Sequence, residues 1–247
     1  MKKRLDLLLV ERGFAESREK AQRLLLAGEV LVDDAPAPKP GHLVPVDVPI
    51  RIRHPLPYVS RGGLKLAAAF ERFPSFDVTG LPCADVGAST GGFTDCLLQH
   101  GAARVYAIDV GTSLLHPRIA ADPRVTVLDR FNARYLAPDT LPEPVAIAVT
   151  DVSFISLRII LPAIDRILAP DAQVVALIKP QFEAGRADVG KGGVVRDPAV
   201  RRRVVEEILA FVSATLPRWT LADPVTESPV RGPAGNLEYL AHFRLPP

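Results

Sequence analysis

Four residues combine side-chain types that can move a proton: Lys65, Asp151, Lys179 and Glu238. Asp151 follows the apolar run Val145 to Val149 and Lys179 follows Val174 to Ile178, so both stand at carboxyl ends of predicted parallel strands, where open α/β sheets place their sites. A single lysine or glutamate is usually a solvated surface group. Four of them flanking strand ends suit the removal of a proton from a weakly acidic alcohol during in-line nucleophilic attack. Lys179 is the candidate base. Lys65, a second ammonium, favours its neutral form, while Asp151 and Glu238 orient both cations and hold the hydroxyl; the titrations of such an array are coupled.

The electrophile is suggested by the segment Asp85-Val86-Gly87-Ala88-Ser89-Thr90-Gly91-Gly92-Phe93-Thr94-Asp95, which follows one predicted strand and opens a helix. Glycines at such a turn permit close backbone approach and offer N–H groups at a helix start. The spacing is not the G-x-G-x-x-G of nicotinamide sites. The leading acid and the interval from Gly87 to Gly91-Gly92 fit a loop that holds S-adenosylmethionine, through Asp85, Gly87, Ala88, Ser89, Thr90, Gly91, Gly92 and Phe93. Asp109, ending the next strand, is placed to accept from ribose hydroxyls, and Asp129, ending the third, to stand beside an adenine amino group. The plainer reading of both is a carboxylate capping a strand end.

These residues need a frame. Short apolar strands are expected at Cys83 to Val86, Val105 to Asp109, Val125 to Leu128, Val145 to Val149, Val174 to Ile178, Leu221 to Thr226 and Glu238 to Phe243. Helices are expected at Leu64 to Phe73, Gly92 to His100, Leu157 to Leu168 and Pro198 to Leu216. The alternation predicts an α/β, Rossmann-like seven-stranded sheet over residues 58–247, parallel except for a final antiparallel hairpin turned at Arg231 to Gly235. Residues 1–53 form a separate α+β unit: Leu5, Leu8 and Leu9 at helical spacing up to Gly13, a second helix capped by Ser17 and ended at Gly28, then short strands around a Lys39-Pro40-Gly41 turn. His54-Pro55-Leu56-Pro57 is a stiff linker, 54–57.

With 30 Lys and Arg against 28 Asp and Glu in 247 residues, the chain is no polycation, so an anionic partner must meet a local patch. Residues 1–53 hold the excess, concentrated in Lys2, Lys3, Arg4, Arg18, Lys20 and Arg23, which suit phosphate contacts; Arg61 and the loop bearing Arg186, Lys191 and Arg196 are further candidates. Cys83 and Cys96 stand without histidine partners at metal spacing, so neither a disulfide framework nor a metal site is expected. They are core fillers of a cytoplasmic protein. Acidic residues interrupt the apolar start too soon for an export signal, and no apolar run is long enough for a membrane span.

Five segments, Tyr58 to Leu66, Asp85 to Asp95, Thr150 to Phe154, Leu177 to Glu183 and Gly190 to Asp197, closely resemble the TlyA family of hemolysin-named ribosomal RNA 2'-O-methyltransferases. The resemblance spans essentially the whole chain. It implies an FtsJ-like catalytic domain and, over residues 1–53, a small RNA-binding module of the type shared with a ribosomal small-subunit protein. The family's Lys-Asp-Lys-Glu tetrad falls on Lys65, Asp151, Lys179 and Glu238, and its cofactor pocket on Asp85 to Phe93, with Asp109 and Asp129. The implied substrate is a cytidine ribose in ribosomal RNA of one or both subunits. Against this stand a membrane-lytic hemolysin, disfavoured by the absent span, and a small-molecule methyltransferase, which leaves the basic appendage and both lysines without a task. A cofactor-binding RNA chaperone is disfavoured by the intact tetrad.

Overall fold

A computed structural model of the chain describes residues 2–15, 17–26, 28–52, 57–232 and 234–247. It divides into two compact units, Met1–Leu56 and Pro57–Pro247. The linker expected at 54–57 lies, apart from Pro57, outside the described residues.

The first unit runs β1 (Lys2–Arg4), α1 (Leu5–Glu11), α2 (Arg18–Leu26), β2 (Val30–Val32), β3 (Ala35–Pro36), β4 (Leu43–Pro45) and β5 (Ile50–Ile52). Leu5, Leu8 and Leu9 share one face of α1 and pack on Ala21, Leu25, Val30, Val44 and Ile50. Gly13, at φ +75°, turns the chain after α1, a left-handed conformation that costs glycine nothing. Ser17 Oγ accepts from Lys20 N at 3.2 Å, as a cap should. Two features differ from the sequence expectation. Lys2–Arg4 is a strand, paired antiparallel with β4, and β2 turns into β3 through Asp33 and Asp34, both at positive φ. Aspartate tolerates that region, so the turn carries no glycine to announce it.

The second unit runs α3 (Gly62–Arg72), β6 (Pro82–Val86), α4 (Gly92–Gln99), β7 (Arg104–Ile108), α5 (Pro117–Ala120), β8 (Val125–Leu128), β9 (Val145–Thr150), α6 (Leu157–Asp165), β10 (Leu168–Ile178), α7 (Pro180–Glu183), α8 (Pro198–Thr215), β11 (Thr220–Leu221), β12 (Thr226–Glu227) and β13 (Tyr239–Arg244). The strand order is β11-β13-β10-β9-β6-β7-β8, with β12 also on β13. From β8 to β10 every pairing is parallel, and β13 alone runs against its neighbours. Alternating strand residues feed two cores: Ala84, Val86, Ile108 and Ala176 join the layer of Ile160 and Ile208, while Cys83, Val105, Val149 and Leu177 join that of Leu66 and Phe93. The expected sixth strand is broken into β11 and β12, because Pro224 between them cannot donate to a ladder. Asp223, in the same gap, instead holds the buried His242 of β13 at 2.7 Å. Since β6 has β7 on one flank and β9 on the other, a crevice opens at their carboxyl ends, which lead into Gly87 and Asp151.

Candidate active site

Helix α3, strand β9, strand β10 and the start of β13 deliver the four candidate side chains to one point. Lys65 Nζ donates to Glu238 Oε2 at 2.7 Å and to Asp151 Oδ2 at 3.1 Å. Lys179 Nζ lies 2.7 Å from Asp151 Oδ1, so the two lysines share one carboxylate, an ammonium on each oxygen. Lys65, Lys179 and Glu238 are buried, and Asp151 is half-buried. Charges removed from water in this way persist only when paired, and here each has an opposite charge in contact.

Sequence reasoning missed two residues of this network. Ser153 Oγ accepts from Lys179 Nζ at 2.8 Å, and Gln181 Nε2 donates to Glu238 Oε1 at 3.2 Å. Both lie two residues beyond a tetrad member, inside segments already singled out, so their positions were legible though their contacts were not. A Cβ on Gly232 would come within 2.6 Å of Glu238 Oε1, so the bare backbone there makes room for the carboxylate.

Two cavities meet over this network. One, of about 520 Å³, is lined by Ser60, Arg61, Lys65, Ala88, Thr90, Gly92, Phe93, Lys179, Gln181, Phe182 and Glu238. The other, of about 510 Å³, is lined by Ile108, Asp109, Val110, Leu114, Phe131, Asn132, Arg134 and Val152. Gly87, Ser89, Asp151, Ser153 and Phe154 border both. Cavities of this size and mixed lining suit a small-molecule ligand.

The glycine loop holds its shape for a reason other than the expected one. Gly87 and Gly91 take φ near +90°, and a Cβ on them would press on Val152 Cγ1 at 3.1 Å and Leu115 Cδ1 at 2.9 Å. On Gly92 it would strike Ser60 Oγ at 2.2 Å, and on Gly63 the Tyr58 ring at 2.3 Å. At these positions the absence of a side chain lets neighbouring protein segments close around the loop, while Gly87 and Gly92 also border the cavities. Asp109 Oδ2 accepts from Ser89 N and Oδ1 from Gly111 N, both at 2.8 Å, pinning the loop while bordering the apolar cavity.

Asp85 and Asp129 border neither cavity. Asp85 is fully buried: Oδ2 accepts from Thr94 Oγ1 at 2.7 Å, Oδ1 has no hydrogen-bond partner, and burial pushes the carboxyl up to about 7. Asp129, exposed, accepts from Ser113 N at 2.8 Å. Burial also pushes the Cys83 and Cys96 thiols up to about 12.

The basic residues of the first unit are drawn partly inward. Arg4 forks onto the buried Asp6 through Nε and Nη2, at 3.1 and 2.9 Å, and Arg18 and Gln22 each reach the same carboxylate at 3.0 Å. The Arg4 guanidinium holds the Asp6 carboxyl well below the usual range. Lys3 pairs with Glu11 and Arg23 with Glu19, while Lys2 is exposed on β1 and Lys20 on α2. Arg61, in the second unit, lines the cavity over the tetrad.

Sheet order, glycine loop and buried tetrad define a class: a Rossmann-like methyltransferase, the fold also found in solved S-adenosylmethionine-dependent methyltransferases. The FtsJ-like methyltransferase family matches residues 58–245, and an S4 domain matches residues 3–49. The chain belongs to that family and, within it, to the TlyA group. It is 44% identical, over 98% of its length and 89% of the relative's, to the Mycobacterium tuberculosis protein named 16S/23S rRNA (cytidine-2'-O)-methyltransferase TlyA. It is 46% identical, over 99% of its length and 86% of the relative's, to YqxC of Bacillus subtilis, named for rRNA methyltransfer. A solved structure described as a hemolysin, from Streptococcus thermophilus, matches with 41% identity and a TM-score of 0.75, covering 99% of this chain and 89% of that one. No helix among the described residues is long and apolar enough to cross a membrane.

Proposed function

We propose that this methyltransferase uses S-adenosylmethionine to methylate the ribose 2'-hydroxyl of a cytidine in ribosomal RNA, in the cytoplasm. The observation that carries the reading is the single network of Lys65, Asp151, Lys179 and Glu238 beneath a cavity that runs along the glycine loop and shares five lining residues with a second one at Ile108 to Val110. The second cavity fits the cofactor: Ile108, Val110, Leu114 and Phe131 offer apolar walls for a flat base, Asp109 and Asn132 offer acceptors, and Gly87 and Ser89 of the glycine loop border it. Bound there, S-adenosylmethionine supplies a methyl group made electrophilic by its sulfonium.

The protein's own residues do the rest. Glu238 and Asp151 hold Lys65 in place, and Lys65 in turn draws charge from Asp151, leaving Lys179 less firmly paired than a lone lysine–aspartate couple would be. Lys179, in its neutral form, takes the 2'-hydroxyl proton as the oxygen attacks. Arg61 and the basic residues of the S4 unit meet RNA phosphates, which position the RNA without reading its sequence.

The test is methyl transfer from tritiated S-adenosylmethionine to ribosomal subunits taken from cells lacking the protein, followed by mass-spectrometric mapping. A 2'-O-methylcytidine is expected. Label on a base, or on no RNA, would reject the reading.

A further inference from the structure

Lys179 Nζ has three polar neighbours: Asp151 Oδ1 at 2.7 Å, the Asp151 carbonyl oxygen at 3.2 Å and Ser153 Oγ at 2.8 Å. The Phe182 ring centroid lies 5.7 Å away and screens another side. As an ammonium, the nitrogen satisfies all three with its three protons. As a base it keeps two protons and a lone pair. Carboxylate and carbonyl oxygens can only accept, so they retain the two protons, and the lone pair faces Ser153. A hydroxyl is the one neighbour of the three able to reverse, turning its own proton toward nitrogen. Ser153 is exposed where Lys179 is buried, and it borders both cavities. Lys179 lines only the cavity over the tetrad, so a ribose hydroxyl placed where the two cavities meet lies at Ser153 Oγ, with the lysine behind it.

We propose that Ser153 is a catalytic residue that relays the proton between the 2'-hydroxyl and Lys179. This rests on the reading of Lys179 as the base. The 2'-hydroxyl gives its proton to Ser153 Oγ while Ser153 gives its own to Lys179 Nζ. The 2'-oxygen bonds to the methyl carbon, and the sulfur–methyl bond breaks with its electron pair staying on sulfur. The products are the methyl ether, S-adenosylhomocysteine and the Lys179 ammonium, so charge and protons balance. Ser153 ends as the hydroxyl it began as.

Single-turnover methyl transfer to ribosomal subunits by the full-length enzyme tests this. Ser153→Ala should be slower by about a hundredfold, the lower end of general acid–base effects, with calorimetric cofactor affinity unchanged. Ser153→Thr, keeping a hydroxyl, should regain most of the rate. The wild-type rate in mixed light and heavy water should curve with deuterium fraction, as two protons in flight require. A readout independent of turnover is Ser153→Cys: iodoacetamide should alkylate its thiol at lower pH than an ordinary thiol, and added Lys179→Ala should abolish that shift. Cys83 and Cys96, fully buried, stay silent. Wild-type speed in Ser153→Ala, an inactive Ser153→Thr that still binds cofactor, or a linear isotope dependence would overturn the relay. If Lys179→Ala itself methylates at the wild-type rate, the base assignment falls instead, whatever Ser153 does.

Discussion

Each unit of this protein packs a carboxylate among cations, and the two clusters do opposite things. In the S4 unit, the buried Asp6 gathers Arg4, Arg18 and Gln22, and the side chains of Arg4 and Arg18 remain 41% and 53% exposed. In the methyltransferase unit, Asp151 and Glu238 gather two lysines whose side chains are 10% and 7% exposed beneath a cavity. Arginine cannot lose its proton in a protein and presents a rigid fork; lysine is a point charge that yields its proton when neighbours and burial press it to. The first cluster is a fixed scaffold holding two guanidiniums at a surface. On the proposed mechanism the second is a store of exchangeable protons. Similar charge counts thus say little until the cation type and its access to water are known.

The sharpest way to break this contrast is to put arginine in the second cluster. Lys179→Ala should lose roughly 10²–10⁴-fold in methyl transfer with cofactor affinity nearly constant, and Lys179→Arg should be as inactive. An active arginine variant would show that the position needs charge, not a removable proton. The converse manipulation removes the anchor of the first cluster. Asp6→Ala leaves hydrogen-bond donors without their acceptor and should destabilise the S4 unit by about 2 kcal/mol, read by denaturant unfolding followed on that unit's amide signals.

Because Asp6 is held below its ordinary value, its contribution is present above about pH 4 and drains away as pH falls below that, since the unfolded chain takes up the proton first. An S4 unit equally stable at pH 3 and pH 6 would contradict the scaffold assignment. Lys65→Met addresses the coupling inside the tetrad: with Glu238 and Asp151 stripped of the ammonium between them, methyl transfer should fall while calorimetric cofactor affinity stays constant, and an unchanged rate would place Lys65 outside the array. The smallest effect expected is on RNA affinity. Lys2→Gln should lower the log–log salt slope of ribosomal-subunit binding by about one if Lys2 meets a phosphate, and an unchanged slope would leave it a solvated side chain.

How far the site could be read beforehand depended on whether sequence neighbours determine it. Asp151 and Lys179 were legible because apolar strands β9 and β10 end just before them, and strand ends are where α/β sheets expose side chains. The sheet itself followed from alternating strand and helix patterns. The Asp6 cluster was not legible, since its partners come from a helix 12 and 16 residues on, and nothing in a string of charges says which will be buried together. The packing of the glycine loop was not legible: its bare positions face Val152, Leu115 and Ser60, atoms that only the folded chain brings near. The break between β11 and β12 was hidden by treating Leu221 to Thr226 as one apolar run despite Pro224.

The contact between Lys65 and Glu238 spans 173 residues of chain, whereas no contact of the Asp6 cluster spans more than 16. Loop-closure entropy and the need to seat β13 between β10 and the edge strands delay the longer contact. During folding, the Asp6 cluster is therefore expected to close early, and the lysine–carboxylate network only when β13 is in place.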